Sequence, residues 1–205
     1  MVIFGFIGAR VYFVLFSWAY FENHISEIFQ VWRGGYSIYG AIIGGALGAA
    51  AYARWKGLPG LAILDLIALV APLGQSIGRF GNFFNQEAFG RPTDLPWGLY
   101  IAPQNRPLEF LTDKFFHPTF LYESLWNLAV FFILFYLFRR NSRRGMIFAT
   151  YLILYSIGRF FVEDLRTDSF DVLGFRVDQI VALVAVSIGA VLMYRSRKRY
   201  EPENN

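Results

Sequence analysis

The sequence predicts an all-α polytopic membrane protein, a bundle of about six transmembrane helices with an irregular segment over one face. Three observations lead there. Of 205 residues, 56% are hydrophobic, 20% aromatic and only 17% charged, too apolar for an ordinary soluble domain. Apolar runs of about 20 residues, enough to cross a hydrocarbon core of roughly 30 Å, recur between short polar segments. The basic residues fall in short blocks beside those runs, so the formal net charge of +4 reads as a topology signal and not as a nucleic-acid surface.

The predicted spans are residues 1–20, 36–55, 61–78, 118–138, 146–162 and 177–195, forming one membrane domain over 1–205. The first is apolar from Met1 with no basic region before it, which suits a retained helix better than a cleavable signal peptide. The second carries Gly40, Gly44 and Gly48 at four-residue spacing, a small-residue face that lets another helix approach closely. A groove for a lipid acyl chain is the alternative use of that face. Between the third and fourth spans, residues 79–117 hold Pro92, Pro96, Pro103 and Pro107, with Pro118 just beyond, so this stretch is expected to be irregular. Trp97 with Tyr100 and Trp126 with Tyr122 suit interfacial anchors.

Basic blocks follow the fourth span (Arg139, Arg140, Arg143, Arg144) and the sixth (Arg195, Arg197, Lys198, Arg199), with Arg54 and Lys56 a weaker third. Alternating spans put all three on one side, cytoplasmic by the positive-inside rule, together with both termini and a tail at 196–205 whose last residues, Glu201–Asn205, are expected to be disordered. Residues 21–35, 79–117 and 163–176 then face outward.

The chain has no cysteine, which excludes disulfides, thiolate metal sites and an enzyme-borne thiol nucleophile. With two histidines, one of them (His24) read as a solvated loop residue, no metal or cofactor is expected. Ionisable residues inside membrane spans cost about 2.5–3.5 kcal/mol each and call for an explanation. Here they are Arg10, Asp65, Arg79, Arg159 and Glu163. For Arg10 and Asp65, internal pairing and function are equally open. Tyr155, Arg159, Glu163 and Arg166 are spaced by four, four and three residues, so one helix face carries a phenol, two guanidiniums and a carboxylate. That stripe favours ligand handling over ion pairing alone. The third span runs into Gly78-Arg79-Phe80-Gly81-Asn82-Phe83-Phe84-Asn85-Gln86-Glu87-Ala88-Phe89-Gly90, read as a glycine-permitted loop that presents an arginine, amides and a carboxylate to an anion. Guanidiniums match phosphate by paired hydrogen bonds, so Arg79 and Arg159 together suit a phosphate clamp. On buried charges alone the competing reading is a transporter or channel with a polar pathway.

Residues 78–90 fit, at every fixed position, the signature G-R-x-G-N-F-x-N-x-E-x-x-G, and the chain resembles the bacterial prolipoprotein diacylglyceryl transferases. Further similar segments run in the same order: Gly8-Ala9-Arg10-Val11-Tyr12, Trp32-Arg33-Gly34-Gly35 leading to Tyr39-Gly40, His117-Pro118-Thr119, Leu121-Tyr122-Glu123, and Gly158-Arg159-Phe160 with Glu163. The resemblance implies transfer of the diacylglyceryl group of phosphatidylglycerol to the lipobox cysteine thiol of a prolipoprotein, giving a thioether and glycerol phosphate. It also implies a bacterial inner-membrane location, with the active groups toward the periplasm and membrane lipids all around. The roles it implies are catalytic for Arg79, Arg159, Glu163 and Tyr39, and substrate-binding for Arg79, Asn82, Asn85, Glu87, Gly90, Tyr155, His117 and Arg10. The chain departs from the family where Tyr39 replaces a common histidine, and where Phe116 and Phe120 replace a common arginine and glutamine. A free phenol, with pKa near 10, is a weak base, and for His117 a structural hydrogen bond stands beside a catalytic one. Members of the family usually have seven spans, so the chain is expected to begin at the second.

Overall fold

The computed structural model describes residues 2–140, 143–167, 171–172 and 175–198. The expected disorder of Glu201–Asn205 lies outside the described residues. The helices are α1 (Val2–Phe16), α2 (Trp18–Phe21), α3 (Ile38–Lys56), α4 (Gly60–Asn85), α5 (Thr119–Arg139), α6 (Met146–Leu165) and α7 (Val177–Lys198). Four of them, α4 to α7, are long and apolar enough to cross a membrane. α1 has 15 residues, which at about 1.5 Å each falls short of a full span. Apolar side chains such as Val181, Leu183 and Val184 lie exposed along the helices, while Arg10, Asp65, Glu123, Asn127 and Glu163 are buried. Polar groups inside and apolar groups outside are the arrangement of an integral membrane protein.

Backbone contacts divide the chain into two compact units, Met1–Ile63 and Leu64–Asn205. In the first, α1 crosses α3 through the glycines expected to allow close approach. A Cβ added at Gly8 would lie 2.9 Å from Gly44 Cα, and one at Gly48 would lie 2.8 Å from Phe4 Cβ. The helix expected over 1–20 breaks at Ser17 into α1 and α2. Arg10 then closes the loop that follows. Its Nε donates to Ile28 O at 3.0 Å, Nη2 to Glu27 O at 2.6 Å, and Nη1 to Gly34 O at 2.6 Å and Gly35 O at 3.0 Å.

In the second unit, Ala68 and Leu69 of α4, Val130 and Leu134 of α5 and Ile147 of α6 form the apolar core. Polar contacts pin the same helices together: Ser124 Oγ donates to Ser76 O at 2.9 Å, and Gln75 Nε2 to Tyr151 Oη at 2.9 Å. Asp65 caps a helix other than its own. Its carboxylate accepts Gly145 N at 2.6 Å and Phe148 N at 2.9 Å, satisfying free amides at the start of α6 and complementing its positive end. Of the two readings open for Asp65, this contact is the structural one. At the same ends of the bundle, Ser196 Oγ donates to Arg144 O at 2.8 Å.

The expectation for the end of the third helix is corrected. The third helix does not emerge near residue 78 but runs to Asn85, so Gly78 and Gly81 are helical and the left-handed residues of the signature are Gln86 (φ 52°) and Ala88 (φ 53°). The polar residues that suggested an exit find partners at the helix end, which lets the helix continue. α7 runs on to Lys198.

Residues 86–118 are irregular as expected and have a small core of their own in Phe89, Ile101 and Phe116. A short antiparallel pair, β1 (Leu99–Tyr100) and β2 (Phe115–Phe116), matches Leu99 with Phe116. The apolar residue at 116 is thus a core residue of this cap. A second pair, β3 (Asp171–Val172) and β4 (Phe175–Arg176), precedes α7.

Candidate functional site

The signature's first half is helical, which places Arg79 and Asn82 one turn apart on α4. Arg79 Nη1 donates to Asn82 Oδ1 at 3.5 Å, and the Nδ2 groups of Asn82 and Asn85 both donate to Glu87 Oε1, at 3.0 and 3.1 Å. The two left-handed residues flank Glu87 and turn the chain so that its carboxylate meets these amides; a non-glycine residue in that conformation costs about 1–3 kcal/mol, an expense typical of functional sites. Gln86 Oε1 accepts Ala102 N at 2.9 Å and Asn105 Nδ2 at 3.0 Å, fastening the irregular segment to the loop. A pocket of about 450 Å³, lined by polar residues such as Gln86, Glu87 and Arg106 and by apolar ones such as Phe89 and Pro107, opens beside it.

Gly90 joins three helix ends. Gly90 N donates to His117 O at 2.9 Å, His117 N to Arg91 O at 3.0 Å, and Arg91 N to Leu165 O at 2.8 Å. Thr119 Oγ1 holds Ala88 O at 2.5 Å from the start of α5. A Cβ on residue 90 would lie 2.7 Å from His117 Cβ and 3.0 Å from Leu165 O, so only glycine fits without movement. The end of α4, the start of α5 and the end of α6 therefore meet at one place.

Six charged side chains converge there. Glu123, one turn into α5, contacts Arg79 Nη2 through Oε2. Its Oε1 lies 3.5 Å from Arg159 Nη1 and 3.7 Å from Arg166 Nη1. Arg159 Nη2 also meets Glu163 Oε2 at 2.7 Å, one turn along α6, and Asp178 Oδ2 at 2.6 Å in the first turn of α7. The expected stripe is present, and its arginines point toward a carboxylate of a neighbouring helix. Gly158 lets the Trp126 indole lie against α6, where Nε1 donates to Leu154 O at 2.9 Å. Trp126, Asn127, Tyr155, Arg159 and Glu123 line a cavity of about 10 Å³. Among the described residues, Asn127 Oδ1 and Arg159 Nη1, the latter 3.5 Å from Glu123 Oε1, are buried without a hydrogen bond.

Of the residues expected at the site, Arg79, Asn82, Asn85, Glu87, Gly90, Tyr155, Arg159, Glu163 and His117 belong to the second unit, and Arg10 and Tyr39 to the first. Tyr39 is 65% exposed, with its ring 6.1 Å from that of Tyr12. His117 faces Tyr122, whose hydroxyl accepts Trp97 Nε1 at 3.0 Å and lies 3.3 Å from His117 Nδ1. Glu123 and Asp178 were missed as site residues. Glu123 carried a signal, a carboxylate inside a span and within a quoted motif, whereas Asp178 at a span's edge had none.

Residues 1–195 match the sequence family described as prolipoprotein diacylglyceryl transferase. The chain is similar to the phosphatidylglycerol–prolipoprotein diacylglyceryl transferase of Acaryochloris marina, with 49% identity over 88% of the chain and 67% of the relative. Similar relatives occur in Thermosynechococcus vestitus (46% identity over 92% of the chain and 71% of the relative) and Fervidobacterium nodosum (47% over 92% and 65%). The chain thus spans about two thirds of the length of the curated relatives it matches.

Proposed function

The chain belongs to the prolipoprotein diacylglyceryl transferase family, and from that premise we propose that it moves the diacylglyceryl group of phosphatidylglycerol onto the lipobox cysteine of a prolipoprotein. The observation that supports this most is the convergence of Arg79, Arg159 and Arg166 on Glu123 at adjoining helix ends. Guanidiniums in a water-poor site bind a phosphodiester and stabilise the charge it gains as it departs. The cysteine sulfur attacks the terminal glyceryl carbon, the carbon–oxygen bond to phosphate breaks, and glycerol phosphate leaves. Nearby positive charge favours the thiolate, and the nucleophile arrives on the substrate, in keeping with a chain that has no cysteine.

In this reading Arg79 and Arg159 hold the phosphate. Asn82, Asn85 and Glu87 keep Arg79 in place, and Glu163 orients Arg159. Gly90 holds the helix ends together, and Tyr155 lines the cavity. His117 is a positioning group and Arg10 fastens the loop before α3. Tyr39, standing where the family commonly has histidine, is a weak candidate proton acceptor. The protein acts in the bacterial inner membrane as a single transferase domain, with the arginine cluster toward the periplasm and the Arg139–Arg144 block toward the cytoplasm. The test is purified protein with phosphatidylglycerol and a lipobox peptide, followed by mass. A thioether-linked diacylglyceryl adduct is expected on the cysteine peptide and none on its serine analogue. Failure to form it under conditions where a known family member does would overturn the reading.

A further inference from the structure

Among the described residues, the cluster sets Arg79, Arg159 and Arg166 against Glu123, Glu163 and Asp178. Among these six groups the charges cancel, so a phosphodiester that pairs with Arg159 competes with the carboxylates already seated on it.

The three carboxylates differ in how easily they can leave. The side chains of Glu123 and Glu163 are 6% and 1% exposed, and parting either from its arginines strands a charge in a low dielectric. Asp178 is 47% exposed. It stands in the first turn of α7, where the positive end of the helix dipole still holds it after release. Arg159 Nη2 is therefore shared by one carboxylate that is buried, at 2.7 Å, and one that is about half exposed, at 2.6 Å.

Resting on the reading of this cluster as the lipid phosphate site, we propose that Asp178 is a displaceable counter-ion, holding the seat on Arg159 that the phosphodiester of phosphatidylglycerol takes. Lipid binding exchanges one anion for another, keeps the cluster neutral and loosens the α6–α7 junction at Arg159. Asp178 thereby sets the affinity for the lipid. A carboxylate that merely orients Arg159 would make the same contacts but would behave differently when neutralised.

The experiment uses the full chain in uncharged detergent micelles, with dioleoylphosphatidylglycerol diluted into dioleoylphosphatidylcholine. Initial lipidation rates of a lipobox peptide give KM for the lipid, and lipid-dependent thermal stabilisation without peptide gives binding. Asp178→Asn and Asp178→Ala should both lower KM and tighten binding roughly two- to five-fold, the worth of a half-exposed ion pair. Asp178→Glu should restore the wild-type values. An unchanged or raised KM together with a fall in kcat would overturn the proposal in favour of an orienting role. So would tighter binding of inorganic phosphate than of the lipid in the neutral variants. Lipid binding that tightens as expected in protein with no transfer activity would sink the transferase reading and leave the displacement standing. Transfer with an unshifted KM would do the reverse.

Discussion

Replacing Gly90 with alanine tests how the site is assembled, because the added methyl has no free direction. Its carbon would lie 2.7 Å from His117 Cβ, 3.0 Å from Leu165 O and 3.1 Å from Thr119 Cγ2. Two of those neighbours are main-chain or Cβ atoms, so relief requires the loop to move away from the ends of α5 and α6. Overpacking of this kind costs about 1–3 kcal/mol. The movement also strains the ladder from Gly90 N to His117 O and from Arg91 N to Leu165 O, worth about 1 kcal/mol per bond. A total of about 3–5 kcal/mol follows from these two contributions. The assay is thermal unfolding in detergent, with Gly78→Ala and Gly81→Ala measured alongside. Those two glycines sit in the same signature but inside α4, and a Cβ there meets nothing within 4 Å among the described residues. Alanine in their place should be neutral or stabilising by up to about 1 kcal/mol. Equal destabilisation by all three substitutions, or none by Gly90→Ala, would refute the reasoning.

Asp65→Ala removes both acceptors from the start of α6 and should lower stability by about 1–3 kcal/mol; transfer per folded molecule should persist, which rate assays at matched folded fraction will check. Gly44→Val should push α1 off α3 and cost about 1–3 kcal/mol by overpacking, whereas Gly45→Ala, with nothing within 4 Å, should be tolerated; unfolding of the two variants side by side decides. Because the chain has no cysteine, Asn141→Cys is a clean topology reporter, and an impermeant thiol reagent should label it only in opened cells.

How much of this was legible in the sequence depends on the range of the interaction. Helices α3 to α7 follow from apolar runs bounded by basic blocks, and the α1–α3 crossing from glycines four residues apart, since these are local patterns. The end of α4 was misread because Arg79, Asn82 and Asn85 look like solvent-seeking residues until Glu123 and Glu87 are seen to receive them. Glycine in the signature suggested a turn, yet the turn is made by Gln86 and Ala88, and the required glycine is Gly90, where three helix ends crowd together. Asp65 bonds to amides some eighty positions away, a partnership that no local pattern announces. Tyr155, Arg159, Glu163 and Arg166 were found as a stripe because helical spacing alone fixes their common face. Glu123 and Asp178 come from other helices, so the charge balance of the site could be counted only once the helices were packed.

The central claim is that Arg79 and Arg159 bind phosphate through the planar fork of the guanidinium. It is tested most directly by initial lipidation rates of Arg79→Lys and Arg159→Lys, with thermal unfolding of the same preparations. Lysine keeps the charge and can keep pairing with Glu123 or Glu163, but it cannot make two parallel bonds to one phosphate. Each variant should therefore unfold near the wild-type temperature and lose about 100- to 1,000-fold in rate, the 2.7–4 kcal/mol typical of an oriented donor at a developing charge. Near-normal rates in both variants, or losses in rate that only track losses in stability, would contradict the claim.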